Sequence, residues 1–227
     1  MKYIYTLFAF IIISTISLQA QDWANLNRFK NENAKLPAPS KKENRVVFMG
    51  NSITEGWINL RPEFFSQNPY ISRGISGQTT PQMLLRFHQD VIDLQPKVVV
   101  ILAGTNDIAG NTGPSTLKMI QDNITAMTEM AKAHKIKVVL ISVLPAYEYG
   151  WAKHVKPVEK IAELNKWLET FAKEIKAEYV DCYTPMLDSR KGMKAEYTKD
   201  GVHHTAEGYK VMEPLVVKAI NKALKKK

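Results

Sequence analysis

The chain holds one cysteine, Cys182, among 227 residues, so no disulfide can close within it and stability must come from packing. Metal-binding spacings are also missing. No HxH, HExxH or paired-cysteine run occurs, and adjacent His203 and His204 make a poor chelate, so no metal is implied. Neither GxGxxG nor a phosphate-cradling GK[ST] run is present, which disfavours nucleotide binding and leaves no cofactor implied. Glycine and proline, 11 of each, show no collagen-like or linker-like excess. The formal charge of +9 is spread along the chain apart from the tail of Lys222, Lys225, Lys226 and Lys227. Without zinc-finger spacing or a basic stripe interleaved with aromatics, that charge is no nucleic-acid signature. At 45% hydrophobic residues the composition is that of a globular protein, not a disordered polyelectrolyte.

Long apolar runs are confined to the first twenty residues, MKYIYTLFAFIIISTISLQA. Lys2 precedes an apolar stretch from Ile4 to Ile16, and Ala20 offers a small residue for cleavage. Ser14, Thr15, Ser17 and Gln19 interrupt the second half, short of the roughly 18 to 20 apolar residues that a membrane anchor needs. Residues 1–20 therefore read as a secretory signal, with a mature start near Gln21 and a periplasmic or extracellular protein that keeps no stable membrane span. Cys182 lies far from the cut, so no lipid-modified cysteine is expected there. Residues 21–44 form an N-terminal segment containing the linker-like Leu36-Pro37-Ala38-Pro39-Ser40. A domain over 45–227 follows, a length that suits one core.

In that domain short β-branched runs alternate with helical periods. Val46–Met49, Lys97–Leu102 and Lys137–Val143 are almost continuously hydrophobic, as central parallel strands covered on both faces are. Tyr70–Arg73 and Glu178–Cys182 are weaker strands. Leu117, Ile120, Ile124, Met127 and Met130 make one helical stripe, and Val158, Ile161, Leu164, Leu168, Phe171 and Ile175 another. A last helix from about Thr205 carries Tyr209, Met212, Leu215, Val216, Ala219 and Ile220. This alternation predicts an α/β fold, a three-layer α/β/α sandwich around a mainly five-stranded parallel sheet. Active sites in such sheets form beyond the carboxyl ends of the strands.

Each of those ends carries a polar cluster: Gly50-Asn51-Ser52-Ile53-Thr54-Glu55-Gly56-Trp57, then Arg73-Gly74-Ile75-Ser76-Gly77-Gln78-Thr79-Thr80, then Ala103-Gly104-Thr105-Asn106-Asp107. Asp200-Gly201-Val202-His203-His204-Thr205 follows near the end of the chain. Singly, Ser52 is also a preferred helix cap, Asn106 and Asp107 turn formers, and Gly74 a tight-turn residue. Jointly they gather at one sheet edge. From about Arg45 onward the sequence resembles the SGNH (GDSL-like) hydrolase family, whose Ser, Gly, Asn and His blocks all occur here in order. The resemblance implies a flavodoxin-like hydrolase fold, Ser52 as nucleophile, His203 as general base, Asp200 as its charge partner, and an oxyanion hole from Ser52, Gly74 and Asn106. The chemistry agrees: a serine hydroxyl needs a base, the base needs a carboxylate, and the oxyanion needs converging donors.

The family usually has Asp before the serine, where this chain has Asn51, a change expected to touch loop geometry or substrate preference. Thr54 stands where the second glycine of GxSxG would be, which weighs against the larger α/β-hydrolase fold. The aromatic loop Leu144–Trp151 near the active edge offers Tyr147 and Trp151 for stacking on sugar faces, and Asn51 is a further candidate substrate contact. No long apolar lid is visible. With export and the family resemblance, this points to hydrolysis of small esters, O-acetyl groups on carbohydrates foremost. A lysophospholipase, a general short-chain esterase, a thioesterase and a non-catalytic carbohydrate-binding protein stand as the alternatives. His204 reads as a supporting or surface residue, and His88, His134 and His154 as ordinary structural or surface histidines.

Overall fold

The computed structural model describes residues 22–226, so the leader read over residues 1–20 lies outside the described residues. Strands β1 (Val46–Gly50), β2 (Tyr70–Gly74), β3 (Val98–Leu102), β4 (Lys137–Ile141) and β5 (Glu178–Val180) form one sheet in the order β2-β1-β3-β4-β5, with every neighbour parallel. The helices are α1 (Lys30–Lys35), α2 (Ser52–Leu60), α3 (Pro62–Ser66), α4 (Thr80–Asp90), α5 (Thr105–Ala109), α6 (Leu117–Ala133), α7 (Pro157–Glu174) and α8 (Ala206–Lys225). No described helix is long and apolar enough to cross a membrane.

Because successive strand residues point to opposite faces, each strand feeds two cores. Val47, Met49, Val99, Ile101, Val138 and Leu140 pack with Met83 and Phe87 of α4, Ile120, Ile124 and Met127 of α6, and Ile161, Leu164 and Leu168 of α7. The alternate residues Val46, Phe48, Val98, Val100, Val139 and Ile141 meet Trp57 of α2, Phe64 and Phe65 of α3, and Tyr209, Met212, Val216 and Ile220 of α8. Three layers follow directly from this division.

Two strands stop earlier than their apolar runs do. After β4, the Asn165 side chain accepts from the Val143 N–H at 2.7 Å and donates to its carbonyl at 2.8 Å, taking over both backbone groups from the ladder. After β5, the Ser142 hydroxyl accepts from the N–H groups of Cys182 and Tyr183, both at 3.0 Å. Side chains thus replace strand pairing where the chain must bend away above the sheet.

The strand order reverses between β1 and β3, since β2 lies to one side of β1 and β4 to the other side of β3. That switch point opens a crevice at the carboxyl edge. Ser52 follows β1 and Asn106 follows β3, so both flank it.

Candidate active site

The first site element is a helix start. Asn51 is the N-cap of α2, its Oδ1 accepting from Ile53 N–H at 3.0 Å, and Ser52 is the first residue of the helix. The Asn51 side chain is 1% exposed and committed to the cap, which corrects its reading as a substrate contact. An amide oxygen caps as a carboxylate does, so asparagine keeps the local geometry that the family's usual aspartate would give. The Ser52 N–H is one of the first N–H groups of the helix, which have no intrahelical acceptor, at the positive end of the helix dipole.

Ser52 Oγ lies 3.0 Å from His203 Nε2, and His203 Nδ1 lies 2.7 Å from Asp200 Oδ2. With the ring proton on Nδ1 donating to Asp200, Nε2 is free to accept from the serine hydroxyl. Asp200 Oδ1 also accepts the backbone N–H of Val202 at 2.9 Å and of His203 at 2.7 Å, closing the turn around Gly201. Partial burial pushes the Asp200 carboxyl upward. The hydrogen bonds from the His203 ring and from the His203 and Val202 backbone outweigh it and hold the pKa below the usual aspartate value.

Gly74 ends β2 in register with Gly50. A Cβ there would sit 2.2 Å from Glu55 N and 2.9 Å from the Asn51 carbonyl, so β2 runs hard against the first turn of α2 and only glycine fits. Asn106, in α5, donates one amide N–H to the Gln78 carbonyl at 2.9 Å. An amide carries two such protons. The first fixes the rotamer and the second is left for another acceptor.

Arg86, absent from the sequence-based candidates, ties these pieces together. It is fully buried in α4 and donates to the Gly50 carbonyl at 3.0 Å, the Arg73 carbonyl at 2.9 Å, Gln78 Oε1 at 2.6 Å and Asp90 Oδ2 at 3.0 Å. One guanidinium therefore pins the ends of β1 and β2 and the loop residue that orients Asn106. Burial lowers its pKa to about 10, against the opposing pull of Asp90, so it stays charged at neutral pH. The signal in the sequence was Arg86 and Asp90 four apart, flanked by the buried positions Met83 and Phe87.

Trp151 comes to the triad. Its ring lies 6.1 Å from that of His203, is stacked at 5.2 Å on buried Tyr149, and is 49% exposed. Its Nε1 donates to Asn111 Oδ1 at 2.9 Å, and Asn111 Nδ2 donates to the Gly77 carbonyl at 3.1 Å. Tyr147 is equally exposed but packs under the Arg190 guanidinium, 5.2 Å from the ring centre. Among the described residues no contact ties it to the triad.

His204 is buried, with its ring stacked 5.0 Å from Tyr209 and with no hydrogen-bond partner among the described residues for either nitrogen. Burial, helped by neighbouring His203 and opposed by Asp200, pushes its pKa down to about 3 and keeps it neutral. It packs behind the site.

Residues 48–211 match the GDSL-like lipase/acylhydrolase family. The chain belongs to that family. It is similar to a GDSL-like lipase of Bacteroides thetaiotaomicron, 54% identical with a TM-score of 0.86 over 88% of this chain and 98% of that one. It is 34% identical over 126 residues to the uncharacterized lipoprotein YqeF of Bacillus subtilis, covering 48% of this chain and 51% of that protein. To an acetylxylan esterase of Xylanibacter ruminicola it is 26% identical over 220 residues, covering 82% of this chain and 45% of that one. The chain thus spans about half the length of these two curated relatives.

Proposed function

We propose that the protein is an exported serine esterase that removes small acyl groups, O-acetyl groups on carbohydrate foremost, using Ser52, His203 and Asp200. The observation that carries the reading is the continuous relay from Ser52 Oγ to His203 Nε2 at 3.0 Å and from His203 Nδ1 to Asp200 Oδ2 at 2.7 Å, set at the switch point of the sheet.

His203 accepts the Ser52 proton as Oγ attacks the ester carbonyl, and ionised Asp200 stabilises the imidazolium that forms. Negative charge develops on the former carbonyl oxygen. The second amide proton of Asn106 and the backbone N–H groups of Ser52 and Gly74 receive it, with the dipole of α2 behind them. His203 then protonates the departing alkoxide, leaving an acyl-Ser52 ester that water hydrolyses by the same route in reverse. Trp151, half-exposed beside His203, supports a sugar as the alcohol part, because an aromatic face suits the C–H face of a pyranose and its polar edge is already satisfied by Asn111. The likeness to an acetylxylan esterase points the same way. Export rests on the leader pattern of residues 1–20 and the domain limits on the reading of 45–227.

The test is a panel of acetylated sugars, p-nitrophenyl acetate, butyrate and octanoate, and a lysophospholipid, assayed with wild type and Ser52→Ala. Acetyl esters are expected to turn over fastest, and Ser52→Ala to lose several orders of magnitude in kcat. Faster turnover of octanoate than of acetate overturns the acetyl preference, and full activity of Ser52→Ala overturns the nucleophile.

A further inference from the structure

The active site does not stop at Trp151. Asn111, which holds the Trp151 indole, also lines a cleft of about 330 Å³ whose other walls include Trp23, Asn25, Ser76, Gly77 and Gln78. Those residues run on from Gly74 in the loop whose Gln78 carbonyl orients Asn106. The cleft therefore begins where the oxyanion donors end, and its far wall is built by the segment ahead of β1.

Trp23 is fixed there by backbone, and among the described residues no hydrogen bond holds its indole. Asp22 Oδ1 accepts from Leu26 N–H at 2.7 Å and Asp22 Oδ2 from Asn27 N–H at 3.0 Å, closing a turn. Gln82 Nε2 donates to the Trp23 carbonyl at 2.6 Å, and Gln78 Nε2 to the carbonyl of buried Ala24 at 2.7 Å. The Trp23 side chain nevertheless stays 45% exposed. Trp23 also lines a second cleft, about 410 Å³, with Pro81, Pro114, Met119, Thr112 and Asn123. A large aromatic ring held on a rigid turn, shared by one cleft lined with amides and hydroxyls and a second, more apolar one, is a preorganised platform that loses little entropy on binding. Polyhydroxylated rings have both the apolar face and the hydroxyl rim that such walls satisfy.

We infer that Trp23 forms a second sugar platform, so that the substrate is an acetylated oligosaccharide or polysaccharide chain running from Trp151 across Asn111 to Trp23, not a monosaccharide ester. This rests on the carbohydrate reading above. A platform remote from the scissile bond contributes equally to ground state and transition state, so its loss is read in KM.

The experiment compares kcat/KM on a per-acetylated mono-, di- and tetrasaccharide series and on p-nitrophenyl acetate, for wild type, Trp23→Ala and Trp23→Phe. Wild type is expected to gain with chain length. In Trp23→Ala the ratio of tetrasaccharide to p-nitrophenyl acetate is expected to fall about tenfold, through KM, and in Trp23→Phe to recover most of that loss. A wild type equally active on mono- and tetrasaccharide, or an unchanged ratio in Trp23→Ala, overturns the chain inference alone. Turnover of p-nitrophenyl acetate with no acetylated sugar accepted overturns the carbohydrate reading beneath it.

Discussion

Asn106 has two amide protons, and the proposed esterase mechanism gives them two distinct tasks. One is spent on the Gln78 carbonyl at 2.9 Å, which costs nothing during turnover because the bond is made before substrate arrives. In the proposed mechanism the other is worth most when negative charge appears on the substrate oxygen, so its removal would act on the transition state. Asn106→Ala is therefore expected to lower kcat by roughly 10² to 10³ with little change in KM on a short-chain ester. A rise in KM at constant kcat would make Asn106 a ground-state contact instead. At this scale the sequence was most legible. Ser52, Asp200, His203 and Asn106 stand out because they match the family's blocks at the strand ends, and the structure brings Ser52, His203 and Asp200 into one relay. Asn51 was misread because position beside a nucleophile does not reveal direction, and the side chain turns inward to cap α2.

Elements carry the constraint that the motifs omit. The Gly50 and Arg73 carbonyls at the ends of β1 and β2 need a common donor, and α4 supplies it through Arg86. A lysine ammonium in its place keeps the countercharge for Asp90 but cannot reproduce the planar fork that reaches four acceptors. Arg86→Lys is thus expected to fold with a lowered Tm and to lose roughly tenfold or more in kcat at nearly constant KM, because small displacements of the oxyanion donors are costly. Steady-state kinetics on p-nitrophenyl acetate beside a thermal melt checks this, and full activity in the folded variant would show that the strand ends hold without the clamp. The strands and the three long helices were legible because their apolar periods are long. By contrast α2 and α4 were hidden, α2 because its first turn is the Ser52 block and α4 because Arg86 and Asp90 place polar groups where a stripe would need apolar ones. The bends after β4 and β5 were equally invisible, since a single Asn165 or Ser142 takes over the ladder.

Over the whole molecule, three helices of the layer on one face of the sheet are fastened at the active edge by one buried carboxylate. Asp107 of α5 accepts from the Thr80 N–H at 2.9 Å and from the Thr80 hydroxyl at 2.5 Å at the start of α4, and Asn123 of α6 donates to that hydroxyl at 3.0 Å. Burial raises the Asp107 pKa from 3.8 to about 6, in spite of the lowering effect of the Thr80 hydrogen bonds. The sign follows from linkage: the folded state holds this proton more tightly than the unfolded chain, so ionising Asp107 weakens the fold. Its contribution is most favourable below about pH 4, declines as pH rises toward about 6, and is level above that. Asp200, Asp188 and Glu178, all held below their usual values, act in the opposite direction as pH falls. They remain in an Asp107→Asn variant, so the difference between variant and wild type isolates Asp107. Between pH 4 and 6.5 the variant is expected to gain on wild type by on the order of 2–3 kcal/mol and then to run parallel to it. Denaturant melts at half-unit pH steps measure that difference directly. A constant offset across the range would mean that Asp107 ionises as easily in the folded protein as in the unfolded chain, and that the joint among α4, α5 and α6 is held by the threonine and asparagine alone.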